Sequence, residues 1–242
     1  MSEFNTNTYY QDESVDGLKS YVNGVFVKMG IAMLITTLVA FAGYYSLDTG
    51  GFMYNMLFNG TYSIVSLILV FVQLGLCIAL SAKVQTMNPS TAKLLFYIYA
   101  AVTGFTFSVL PLSFGLTTVF SAFAFAAVMF FACAIIGHTT NVDLSKFSGL
   151  LMGGLIALVI AGIASIFIPG IDIAVSFVGV ILFLFLTAWD MQKIKQYYYG
   201  TNGGYGQFAE NLSTMGAFQL YLDFINLFLY VLRILGSRSR RN

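Results

Sequence analysis

Apolar residues fall in seven long blocks along this chain, parted by short polar or glycine-bearing breaks. Six blocks, near 25–45, 64–82, 94–110, 116–136, 147–168 and 174–189, are almost unbroken, and a seventh, near 212–235, is more polar. A helix crosses the hydrocarbon core of a bilayer with about 20 apolar residues at a rise of about 1.5 Å each. The pattern therefore predicts an all-α, polytopic membrane protein with seven transmembrane helices. Pro89, Pro111 and Pro169 all lie between blocks, where they interrupt no helix centre, and the last two mark the ends of the third and fifth helices. The run YYYGTNGGYGQF between the sixth and seventh blocks predicts a flexible, glycine-rich connection.

A finer pattern runs inside the blocks. In the seventh, Gln219, Asp223, Asn226, Tyr230 and Arg233 recur three or four residues apart and so line one helix face, with Leu, Phe, Ile and Val opposite. A polar stripe on a membrane helix must look into the bundle or a wet cavity, which puts this C-terminal helix at the centre. The other six then form two three-helix layers around it. A repeat of the first three helices in the next three would be inverted across the membrane, because three is odd. Gly149, Gly153, Ala157, Ala161 and Ser165 in the fifth block, and Ala100, Gly104 and Ser108 in the third, make small-residue ridges suited to close helix approach.

Composition sharpens this picture. Of 242 residues, 58% are hydrophobic and 9% charged, where a soluble domain carries about a quarter charged, so lipid replaces water over most of the surface. A net charge of +1 gives no electrostatic case for binding nucleic acid. Cys77 and Cys133 both sit inside apolar blocks and read as packing residues rather than a disulfide. Residues 1–21, with Glu3, Asp12, Glu13 and Asp16, read as a flexible cytoplasmic tail. A membrane domain follows at 22–237, then a short basic tail at 238–242. No basic region precedes a short apolar stretch, so no cleavable signal is expected.

Basic residues set the orientation. Lys19 and Lys28 precede or open the first block; Lys83 and Lys93 flank the second break, Lys146 the fourth, and Lys193 and Lys195 open the sixth. The first, third and fifth breaks hold no Lys or Arg. This alternation puts the N-terminus in the cytoplasm. Arg238, Arg240 and Arg241 run against it if the seventh helix crosses fully, and agree with it if that helix is re-entrant. Length favours the full crossing.

Two acids carry the candidate chemistry. Asp223 lies mid-block in the seventh segment and Asp190 closes the sixth. A carboxylate at the centre of a membrane helix costs about 2.5–3.5 kcal/mol on insertion scales, which marks it as functional by default. Successive helices can bring the two together. At about 4 Å two carboxylates repel by about 4 kcal/mol at an effective dielectric near 20, enough for the pair to hold one shared proton near neutral pH. Such a pair is a proton-operated latch, and without its proton it attracts a hard, oxygen-seeking cation such as calcium. Thr187 and Asn226 are possible helpers; so few oxygens suit transient passage better than storage. The alternative is an interfacial Asp190, solvated or paired with Lys193, with only Asp223 buried. Lys83 could hold one carboxylate in a closed state or simply snorkel, and His138 reads as an incidental loop residue. The chain has no HExxH, Cys/His cluster, P-loop or nucleophile elbow, and Asp223 lacks the glycines of a G-x-G-D aspartyl protease motif. It is read as a non-enzyme with no tightly bound cofactor.

Three segments, HTTNVDLSKFSGLLMGGLIALVIAGI, GVILFLFLTAWDMQKIK and LYLDFINLFLYVLRILG, resemble the Bax-inhibitor family (transmembrane Bax-inhibitor-motif proteins) in its bacterial branch. The similarity covers about residues 25–236. It implies a central last helix wrapped by two triplets, in a bacterial cell membrane. It also implies a pH-sensitive calcium leak governed by a di-aspartyl sensor, whose positions match Asp190 and Asp223, with calcium as the permeant ion. Lys83 is near the position of a basic latch that is often Arg; Lys lacks the bidentate fork. Asn141-Val142-Asp143 departs from relatives that carry a basic residue before the acid. The second function the resemblance implies is a non-conducting regulator that binds a membrane-bound quality-control protease, with the acidic tail as its handle.

Overall fold

The computed structural model describes residues 6–239 apart from 166, 169 and 202, with side chains from 16 to 237. Every regular element among these residues is helical: α1 (Thr6–Asp48), α2 (Phe52–Phe58), α3 (Thr61–Lys83), α4 (Pro89–Phe107), α5 (Leu110–Phe114), α6 (Leu116–Thr139), α7 (Ser148–Ala164), α8 (Ile171–Gly200) and α9 (Gly206–Ser239), with a 3-10 turn (Leu144–Phe147) leading into α7. Seven spans are long and apolar enough to cross a membrane; α4 with α5 makes the third and the 3-10 turn with α7 the fifth. The chain is an integral, multi-pass membrane protein.

Local sequence explains where the helices start. Asn88 caps α4 by accepting the Ser90 N–H at 3.0 Å, and Pro89 takes the first helical position, where no N–H is missed. Asp143 caps the 3-10 turn through the Ser145 N–H at 3.0 Å, which gives the Asn141–Asp143 stretch a structural role. Gly115, at φ +80°, makes the reversal between α5 and α6 that a side chain would strain.

The last helix is the axis of the bundle. In its most apolar stretch 56% of residues are buried, against 6% in α3. On one side lies a layer of α1, α3 and α4, and on the other a layer of α6, α7 and α8. Within each layer the first and third helices pack on each other and on α9, while the middle one packs on the outer side of the third. Aromatic edges wedge α9 in place. Phe96 and Tyr99 of α4 meet Phe218, with ring centroids 5.5 and 5.2 Å away, and Phe130 and Phe123 of α6 meet Phe224 at 5.5 and 5.3 Å. Gly236 packs on Phe114, at the end of the bundle opposite the 84–88, 140–147 and 201–205 connections, so α9 crosses fully. Arg240 and Arg241 lie outside the described residues, as does Pro169.

The two small-residue ridges divide. The one on α4 is buried against α1: a Cβ on Gly104 would stand 2.5 Å from the Thr36 carbonyl oxygen, and Ser108 sits against Gly43. The one on α7 faces outward, where Gly149 and Gly153 meet nothing within 4 Å. α7 instead packs through buried Leu151 and Leu158, with Gly154 against Leu182 of α8. Small side chains permit close approach but do not create a neighbour, and α7 has one only on its other face.

Two further expectations change. α8 continues past Asp190 to Gly200, so only 201–205 remain of the expected flexible connection. The reason is packing: Tyr198 leans on Tyr21 of α1 with centroids 5.7 Å apart, and its ring lies where a side chain on Gly17 would stand. The same contacts order residues 17–21, and α1 is helical from Thr6; residues 1–5 of the expected tail lie outside the described residues. Cys77 and Cys133 are free thiols.

Candidate functional site: an acid pair between α8 and α9

The antiparallel register of α8 and α9 follows from matched small and large residues. Ile194 fills the space beside Gly216, and Tyr230 the space beside Gly179, while the Tyr230 ring also stacks on Phe183 at 5.9 Å. Between these two contacts the same register brings Asp190 to Asp223. The two carboxyl groups face each other, and each residue is 5% exposed. Two facing carboxyls can hydrogen-bond directly only when one of them carries a proton.

The surroundings are unequal. Lys193, one turn along α8, puts its Nζ 2.5 Å from Asp190 Oδ1 as an ion pair. The same ammonium lies 3.7 Å from the Trp189 ring centre. Asp223 Oδ2 is buried and accepts no N–H or O–H hydrogen bond among the described residues, and Asp190 is the polar group that faces this side chain.

Of the expected stripe on α9 only Asp223 is buried; Gln219, Asn226, Tyr230 and Arg233 are half-buried, with Gln219 and Tyr230 against α8. The fully buried face of α9 is the apolar one carrying Leu220, Tyr221, Phe224 and Leu227. Gln219 accepts a hydrogen bond from the Tyr197 hydroxyl at 3.4 Å, and Arg233 lies 5.9 Å from the Tyr230 ring centre. Thr187 and Asn226 each sit one turn from an acid but donate within their own helices, Thr187 to the Phe183 carbonyl and Asn226 to the Leu222 carbonyl, both at 2.8 Å. Lys83 is not at the pair. It is exposed at the end of α3, the outer helix of its layer, and makes no ion pair among the described residues. Lys193 occupies the electrostatic role that Lys83 was expected to fill, so Asp190 is both the partner of Lys193 and the partner of Asp223. His138 ends α6, and its carbonyl accepts from Lys195 Nζ at 2.7 Å. Gln192 bonds Val142 O at 2.7 Å and Leu144 N at 3.0 Å, tying the 140–143 connection to α8 just beyond the acids.

A second polar cluster, on the opposite flank of α9, has no counterpart in the sequence reading. Glu210 takes Lys93 of α4 at 2.6 Å and Lys28 of α1 at 3.3 Å, and Lys28 also donates to Ser213 Oγ at 2.8 Å. Three turns along, the Tyr221 hydroxyl lies 2.7 Å from Thr36 Oγ1. Thr36 Oγ1 also lies 3.0 and 2.9 Å from the Ala32 and Ala100 carbonyl oxygens, so one hydroxyl ties α1, α4 and α9 together. The available signal was one of level: Lys28, Lys93 and Glu210 all lie near the ends of their blocks that meet the same membrane face.

The comparisons agree with this architecture. The family model described as "Inhibitor of apoptosis-promoting Bax1" matches residues 18–240. The chain belongs to the Bax-inhibitor family. Among the relatives of this Bax-inhibitor protein, the inner membrane protein YbhL of Escherichia coli is 36% identical over 224 residues, covering 92% of this chain and 93% of YbhL. An uncharacterized protein of Rickettsia prowazekii is 35% identical over 92% of both chains. An uncharacterized membrane protein of Streptococcus pyogenes is 34% identical over 97% of this chain and all of its own length. Among the described residues of the Bax-inhibitor bundle, no group of three or more His, Cys, Asp or Glu side chains could hold a metal ion.

Proposed function

We propose that this protein is a calcium leak of the bacterial cell membrane, gated by the protonation state of the Asp190–Asp223 pair, with the N-terminus in the cytoplasm. The observation that carries the reading is the buried meeting of two carboxyl groups between α8 and α9. With one proton shared, the pair bridges α8 and α9 and Asp190 keeps a charge for Lys193. Loss of that proton leaves two carboxylates whose repulsion, about 4 kcal/mol at about 4 Å, pushes the helices apart or is relieved by a divalent cation. Calcium is the cation such oxygens favour, and it is cargo here: two acids bind it weakly enough to release it.

Calcium flux into proteoliposomes tests this between roughly pH 6 and pH 8, the range in which a shared-proton dyad titrates. Wild-type flux should change with pH and rise as the shared proton is lost. Asp190→Asn and Asp223→Asn should each flatten that response, because one neutral partner abolishes the repulsion. Flux that is absent at every pH, or that responds alike in wild type and both variants, would refute the gate. It would leave a non-conducting regulator of a membrane protease as the better reading.

A further inference from the structure

A cavity of about 180 Å³ opens between the two layers, on the half of the membrane away from the acid pair's connections. Its walls come from α1 (Ala40, Phe41), α6 (Val119, Phe120) and α9 (Phe224, Phe228), and α4 and α5 close its end at Phe107 and Pro111. Along α1 it runs from Tyr44 to Met33, about 6 to 22 Å from the end of the helix at 1.5 Å per residue. It therefore lies in the hydrocarbon zone and opens sideways, past exposed Phe41 and Phe120, into lipid.

From these features we propose that the cavity is a binding site for one acyl chain of a bilayer phospholipid. Water does not suit it. Apart from the Thr36, Thr37 and Tyr44 hydroxyls its lining is carbon, and the Thr36 and Thr37 hydroxyls are already donated, to Ala32 or Ala100 and to Met33. A dry apolar cavity of about 150 Å³ is large enough to take benzene, so this one accepts a run of about six chain carbons on the same scale. No charged side chain lines it, so the carboxylate of a free fatty acid meets no counter-ion inside, whereas a phospholipid keeps its head at the surface and sends in only a tail. The chain would touch Phe224, next to Asp223, and Thr36, the partner of Tyr221, and so bridge α1, α6 and α9 where helix contacts leave a gap. The site stands whether or not the protein conducts calcium.

The test is photolabelling in vesicles with a phosphatidylcholine carrying a diazirine in its acyl chain, read by peptide mass spectrometry. Labels should concentrate several-fold on the α1, α6 and α9 walls over the lipid-facing residues Ile68 and Phe71 of α3. Ala40→Trp and Val119→Phe, which fill the cavity from opposite walls, should each remove that excess while leaving α3 labelling unchanged. Wild-type labelling spread evenly over α3 and the cavity walls would overturn the proposal, even if neither variant folds. So would an excess that survives both substitutions, or one given by a diazirine fatty acid but not by the phospholipid.

Discussion

The two flanks of α9 hold acids in opposite ways. Toward α1 and α4, Glu210 is paired with two lysines, and the Tyr221 hydroxyl shares a hydrogen bond with the Thr36 hydroxyl. Toward α8, Asp223 faces another acid, Asp190, and both are buried. Both flanks join α9 to its neighbours through polar atoms, but the first pairs its acid with lysines and the second sets its acid against another acid. The first flank reads as an anchor and the second as a part under tension, even though α8 has the more extensive apolar contact with α9.

Substitutions can break that contrast, and the largest effect is expected where backbones touch. A Cβ on Gly104 would collide with the Thr36 backbone and one on Gly137 with the Ala188 backbone. Gly104→Val and Gly137→Val should each cost at least about 1–3 kcal/mol, seen as a lower unfolding temperature in detergent. Equal losses would say that the layers are held alike by packing and differ only in polar contacts. Next come the two acids of α9. Glu210→Gln leaves Lys28 half-paired and should destabilise by about 1–2 kcal/mol, after allowance for the partial exposure of Glu210 and Lys93. Asp223→Asn removes a buried charge site and should leave stability unchanged or raise it. A loss of stability for Asp223→Asn as large as that for Glu210→Gln would erase the distinction between anchor and tension. Tyr221→Phe removes one donor and should cost about 1 kcal/mol, with the pH response of calcium flux intact. The smallest effect is expected from Lys83→Ala, within about 0.5 kcal/mol and without change in that pH response, whereas Lys193→Met should alter the response.

The sequence made some of this legible because it bears on single helices. Seven blocks of the right length became seven spans, and the stripe from Gln219 to Arg233 contains the buried acid that meets α8, although the fully buried face of α9 is the apolar one. The meeting of Asp190 with Asp223 needed only that two consecutive helices pack antiparallel. Less legible was whatever depends on which helix lies outside. Lys83 and Lys193 have the same charge and sit on the same membrane face, and only the outer place of α3 separates them. The ridge from Gly149 to Ser165 has the spacing of a contact face, yet α7 has its neighbour on the side of Leu151 and Leu158. Glu210 was hidden for a related reason: its lysines come from α1 and α4, more than a hundred residues away in the chain.

The five residues 201–205 that join α8 to α9, with Gly203 and Gly204 at φ +92° and +81°, bear on timing. So short a link costs little closure entropy and keeps each acid at a high effective concentration about the other. Re-closure in the proposed gate is then a unimolecular helix motion on the microsecond-to-millisecond scale. The lifetime of an open event would be governed by proton arrival rather than by the search of one helix for the other.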